Sequence, residues 1–164
     1  MAKSKNSAKD KPEESNSKSI SRNRRAHHEY DLLEKIECGI ALKGSEVKSL
    51  RNGKVSLDEA YAKIIDGELW LLGCDIAEYP QASMFNHEPR RNRKLLLHKR
   101  ELKKFAATAD HKGLTMIPLS MYFKEGIVKV EIAVGRGRKL HDKREALKKN
   151  DAAKEMRQAM ARRR

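Results

Sequence analysis

The densest cationic chemistry in this sequence lies in nine consecutive residues, Asn86-His87-Glu88-Pro89-Arg90-Arg91-Asn92-Arg93-Lys94. Pro89 stiffens the approach, and the alternation of Arg91 and Arg93 predicts that both project to one side of an extended strand. Guanidinium groups so spaced can engage successive phosphates bidentately, with Lys94 beside them as a point charge. A second segment, Asn23-Arg24-Arg25-Ala26-His27-His28, stands just before the first strand that the pattern suggests and could clamp a nucleic-acid backbone. Taken alone, either run could be a solvated loop. The charge of the whole chain weighs towards a phosphate-rich partner.

Other chemistries find little to work with. Six histidines are present, but no His-x-x-x-His on a helix, no paired carboxylates and no nucleophile motif accompany them. A phosphate-cradling GxxxxGK[ST] is absent, and Gly135-x-Gly137 lacks the further glycine of a dinucleotide loop. Cys38 and Cys74 stand alone without CxxC spacing, as two buried thiols would. The sequence therefore implies no enzyme, no metal and no cofactor. An RNA-processing enzyme using His27, His28 or His98 is the alternative from another class, and loss of RNA cleavage on their mutation would reveal it.

Charged residues make up 37% of the 164, against about a quarter in ordinary domains, and the net charge is +14. Its distribution is uneven: +4 over residues 1–30, −4 over 31–83, +6 over 84–104, zero over 105–134 and +8 over 135–164. An acidic-to-neutral body with a basic patch and two basic ends is the electrostatic footprint of nucleic-acid binding. Apolar stretches such as Leu69–Leu72 fall far short of the roughly 20 residues needed to span a bilayer, and no apolar leader region is visible. A cytoplasmic protein without membrane partners is expected. Trp70, Phe105 and Phe123 fall inside predicted elements, leaving few exposed rings for stacking single strands. Structured RNA read through backbone and shape suits this body better.

Local signals place these residues on a mainly β scaffold. Residues 1–20 are Lys, Ser, Asn, Glu and Pro with almost nothing apolar, and read as a disordered basic arm. Strand-like runs at 58–65 and 68–76 flank Asp66-Gly67, a strong hairpin signal. The apolar run 113–123 is closed by Lys124-Glu125-Gly126 and followed by Ile127–Val134, where Val128, Val130, Ile132 and Val134 alternate with Lys129, Glu131 and Ala133. Helices are expected at 45–52, where Val47 and Leu50 share a side, and at 98–111, where Leu102, Phe105, Ala106 and Ala109 recur at helical spacing. Short strands with flanking helices in about 110 residues suggest a small OB-like β-barrel over residues 21–134. Gly135-Arg136-Gly137-Arg138-Lys139 reads as a hinge. Beyond it, Asp142 and Glu145 resemble a capping box. The tail 135–164 is expected to be disordered alone and helical against an anionic partner.

In order along residues 22–145, the chain resembles the small protein B family of bacterial tmRNA-binding proteins. Asn23-Arg24-Arg25-Ala26 with His28 and Tyr30, then Gly44-Ser45-Glu46-Val47-Lys48-Ser49-Leu50-Arg51-Asn52-Gly53-Lys54, carry the likeness. Pro89-x-Arg91-x-Arg93-Lys94-Leu95-Leu96-Leu97 followed by Lys99-Arg100-Glu101, then Lys129-Val130-Glu131-Ile132 and His141-Asp142-Lys143-Arg144, complete it. The resemblance implies an OB-like barrel that binds the tRNA-like part of tmRNA and accompanies it into stalled ribosomes. It maps Asn23, Glu37, Leu96 and Lys129 to the tmRNA face; Arg24, Arg25 and Lys48 lie in its motifs. It also makes Gly137 a hinge, sets His141 in the decoding centre, and leads Arg138, Lys139, Asp142, Lys143 and Arg144 towards the empty mRNA channel. A ribosomal or ribosome-assembly RNA-binding protein is the competing reading of the same charge layout.

Overall fold

The computed structural model describes residues 17–138, together with Met156, Gln158 and Met160, which are helical. Along the chain run β1 (Ser17–Arg22), α1 (Arg24–Glu29), β2 (Tyr30–Ile40), α2 (Gly44–Arg51) and β3 (Val55–Ser56). Then follow β4 (Tyr61–Ile65), β5 (Glu68–Leu72), β6 (Asp75–Ile76), a 3-10 segment (Pro80–Phe85) and β7 (Arg93–Leu96). The series ends with α3 (Lys99–Ala109), β8 (Leu114–Lys124) and β9 (Ile127–Gly137). The protein is mainly β with flanking helices, as its patterning predicts.

Both expected hairpins form. At Asp66-Gly67 the φ angles are +50° and +74°, and at Glu125-Gly126 they are +52° and +80°. Two positive φ values in a two-residue loop give the turn whose twist matches the flanking strands. Seven strands pair in the order β1-β8-β4-β5-β7-β2-β9, and β9 also pairs with β8. The ladder therefore leaves β8 through β4, β5, β7 and β2 and returns to β8 through β9. β1 extends it along the C-terminal half of β8, from Ser120 to Lys124.

Alternation decides what fills the interior. Val128, Val130, Ile132 and Val134 of β9 are buried with Leu69 and Leu71 of β5, Met121 of β8, and Leu50 and Phe105 from α2 and α3. A second, smaller cluster of Ala26, Ile117, Leu119 and Ala133 lies under α1. That is why Ala133, on the outward side of β9, is buried.

Three boundaries differ from the sequence expectation. The last residues of the expected disordered arm, Ser17–Ile20, belong to β1, because backbone pairing with β8 needs no apolar pattern. The segment after Asn23 is a helix preceded by a strand, not the run-up to the first strand. The supposed hinge at Gly135–Gly137 continues β9, with Gly135, Arg136 and Gly137 opposite Leu32, Asp31 and Tyr30. Arg138 follows with its N–H donating to the Glu29 carbonyl at 2.8 Å.

Candidate nucleic-acid interface

Gly39 of β2 stands opposite Leu96 of β7 on one side and Lys129 of β9 on the other. Its missing side chain matters: a Cβ there would lie 3.3 Å from the Cβ of Leu96. Leu96 remains half exposed beside it. Glu37, two residues earlier and on the same face, lines one groove with Gly39, Leu96 and Lys129. The three positions that the family likeness selected in β2, β7 and β9 thus converge.

A carboxylate on a phosphate-binding face looks misplaced until its partners are seen. The Tyr122 hydroxyl donates to Glu37, Lys124 Nζ approaches both carboxylate oxygens at 3.3 Å, and Lys129 Nζ stands 3.7 Å away. The Tyr122 hydrogen bond, aided by the two lysines against partial burial, holds the Glu37 carboxyl below its usual range. Burial and the Glu37 hydrogen bond push the Tyr122 phenol up. Glu37 gathers two lysines and a tyrosine from β8 and β9. Tyr122, Lys124 and Gly39 escaped the sequence reading. Period-2 alternation of Ser120, Tyr122 and Lys124 with Met121 and Phe123 is the signal that could have found the first two.

The cationic face continues through shared walls. Glu37, Tyr122 and Lys124 line a second groove with Arg22 and Ser120, and these two border a third with Arg24, His27, His28 and Lys35. Asn23 also lines this third groove, at only 3% exposure. It is buried; its Oδ1 accepts from the Ala26 N–H at 3.0 Å and its Nδ2 donates to the Leu57 carbonyl at 3.2 Å. As the N-cap of α1 it positions Arg24, His27 and His28. Arg25 turns into a different cleft, beside Glu29, Asp58 and Glu59.

The expected phosphate-binding arginines are not free to act as such. Arg93 is wholly buried, donating to Glu46 at 2.9 Å and to the carbonyls of Cys74, Pro89 and Arg91. Arg91 donates twice to Glu46, at 2.8 and 2.6 Å. Burial would raise the Glu46 carboxyl, but Arg91, the Lys43 N–H and Arg93 outweigh it and hold the group below its usual range. Both arginines fasten β7 to α2. Lys94 pairs with Glu68 at 2.5 Å. Lys48 is exposed on α2, 5.3 Å from the centre of the Tyr79 ring, outside all three grooves. Arg93 in β7 and Arg91 just before it, expected to project outward from one strand, instead both turn to Glu46 of α2.

Of the remaining positions, Gly137 and Arg138 lie at the end of β9, with Arg138 3.9 Å from Asp31. Lys139, His141, Asp142, Lys143 and Arg144 lie outside the described residues, as does Glu145. Burial pushes the thiols of Cys38 and Cys74 up to about 12 and about 11, which keeps them unreactive. Among the described residues no cluster of His, Cys, Asp and Glu could hold a metal ion, and no helix is long and apolar enough to cross a membrane.

A β-body presenting a continuous cation-lined face around a half-exposed leucine is that of a nucleic-acid-binding module. Residues 20–162 match the SmpB protein family, and the chain belongs to that family. It is 51% identical to the SsrA-binding protein of Rhodopirellula baltica over 87% of this chain and 82% of that one. It is 50% identical to the SsrA-binding protein of Carboxydothermus hydrogenoformans, over 87% and 96% of the two chains. A chain of a solved structure described as "tmRNA-SmpB: a journey to the center of the bacterial ribosome" is 50% identical. It aligns with a TM-score of 0.64 over 77% of this chain and 93% of its own.

Proposed function

We propose that this protein binds the tRNA-like part of tmRNA and brings it to stalled ribosomes for trans-translation, acting in the cytoplasm without catalysis of its own. The observation that carries the reading is the convergence of Glu37, Leu96 and Lys129 on one groove. Lys129 and Lys124 supply phosphate partners, Leu96 over Gly39 supplies an apolar surface for a ribose or base, and Glu37 fixes the lysines. The closed ladder of β8, β4, β5, β7, β2 and β9 supports an OB-like barrel as the platform. Residues beyond Gly137, which carry a net charge of +7, are suited to an RNA-walled channel, with His141 at the decoding centre.

The test is binding to transcribed tmRNA with excess bulk tRNA as competitor, over a salt series. Tight binding that survives the competitor supports the reading; binding that tRNA removes sinks it. Ending the chain after Gly137 should leave tmRNA binding nearly intact while abolishing tagging. A large loss of binding would refute that division of labour.

A further inference from the structure

The +6 charge of residues 84–104 comes from eight Lys and Arg against two acids. Half of those cations are occupied within the fold: Arg90 with Glu59 and Asp75, Arg91 and Arg93 with Glu46, and Lys94 with Glu68. The other half, Lys99, Arg100, Lys103 and Lys104, are exposed on α3, and none makes an ion pair among the described residues. At about 100° per residue they fall within an arc of roughly 140°. Leu102, Phe105, Ala106 and Ala109 occupy the opposite side, with Phe105 in the core. Glu101, the acid of this helix, lies outside the arc and reaches back to the His98 N–H at 3.4 Å.

Like charges four apart, as in Lys99 with Lys103 and Arg100 with Lys104, repel along a helix. No acid within α3 lies on the arc to relieve them; the C-cap Asp110 shares that side but stands about two turns beyond Lys103. Ala107 adds no bulk between them. α3 also continues the interface directly: Leu97, His98 and Glu101 line the groove of Glu37, Leu96 and Lys129, and Lys99 is the next residue after His98.

We propose that the solvent face of α3 is a phosphate-binding rail. It grips the sugar-phosphate backbone of a helical stem in the same RNA whose neighbouring surface fills the groove. The rail rests on the proposed binding of tmRNA and extends its footprint. Four cations spaced along about 7.5 Å of helix axis can follow a backbone without reading a base.

The experiment compares the full chain with a variant carrying Lys99→Gln, Arg100→Gln, Lys103→Gln and Lys104→Gln, using transcribed tmRNA across a salt series with tRNA as competitor. Circular dichroism and thermal unfolding establish that the exposed substitutions leave the fold in place. A second variant, Lys99→Arg, Lys103→Arg and Lys104→Arg, keeps the charge. Every phosphate neutralised by a cation steepens the log–log salt slope by about 0.9. The Gln variant should bind more weakly with a slope flatter by roughly 2 to 4, and the Arg variant should bind as the parent does. Unchanged affinity and slope in the Gln variant, with the parent still preferring tmRNA, would overturn the rail alone. So would a Gln variant that keeps tmRNA binding and loses only ribosome binding. A parent with no preference for tmRNA over tRNA would overturn the rail together with the functional reading.

Discussion

Arg93 Nε donates to Glu46 Oε1 at 2.9 Å, and neither side chain exposes any surface to water. A buried charge left without its partner is costly, of the order of 3–5 kcal/mol. Glu46→Gln should therefore lower the free energy of unfolding by about that much, measured by chemical denaturation. The pH dependence has a defined sign. The folded carboxyl is held below its usual range, so its contribution is complete above the unfolded value of about 4.3 and fades as pH drops through the lower folded value. The parent should lose stability on acidification below about pH 4, and Glu46→Gln should lack that part of the loss. Parallel acid limbs in the two proteins would contradict the assignment.

Asn23 is predicted to act on RNA through α1, whose N-terminus it caps. Asn23→Ala removes the cap to Ala26 and leaves the Leu57 carbonyl unpaired. A loss of about 1–2 kcal/mol in stability is expected. RNA affinity should fall as well, because Arg24, His27 and His28 lose their support. Asn23→Asp keeps the capping oxygen and should retain most of the helix. If Asn23→Ala weakened RNA binding with no change in unfolding, Asn23 would be touching RNA itself.

Gly39 gives a sharper geometric test. Gly39→Ala places a methyl 3.3 Å from the Leu96 Cβ, and Gly39→Val adds branches to that crowding. The alanine variant should bind tmRNA somewhat more weakly and the valine variant much more weakly, as Leu96 is pushed off its resting place. Equal affinity in all three proteins would mean that the leucine is not part of the contact surface.

What was legible in the sequence follows the range of the forces involved. Asp66-Gly67 and Glu125-Gly126 fix their turns locally, and the alternation from Val128 to Val134 marks its own buried side, so these strands could be read directly. β1 could not, because Ile20 is almost its only apolar residue and its order comes from backbone pairing to β8, about 100 residues away. Gly135–Gly137 looks loose for the same reason: its partners are Tyr30–Leu32. The cationic run misled in a similar way, since the acid that buries Arg93 is 47 positions distant. Leu96 and Glu37 carry no chemical signature of an RNA contact. Family likeness pointed to them, and the pairing of β2 with β7 and β9 brings them into one groove with Lys129.

Glu37 provides the prediction most opposed to simple electrostatics. Removing a negative charge from a surface that binds a polyanion should, on charge alone, tighten binding. The geometry argues the reverse. Lys124 and Lys129 converge on this carboxylate from different strands, and the Tyr122 hydroxyl holds it in place. Without it, both ammonium groups must be ordered by the RNA at the moment of binding, at a cost in side-chain freedom. Glu37→Gln should keep an acceptor for Tyr122 yet weaken tmRNA binding by about tenfold, roughly 1.4 kcal/mol. Glu37→Ala, which also frees Tyr122, should lose more. Because the Tyr122 hydrogen bond holds the carboxyl below its usual range, this contribution persists in mildly acidic buffer. It should disappear only as pH falls through that lowered value, where parent and Glu37→Gln converge. Titrations of both proteins at pH 7 and pH 5 decide the matter: a Gln variant that binds as tightly as the parent, or more tightly, would show the lysines to be positioned without Glu37.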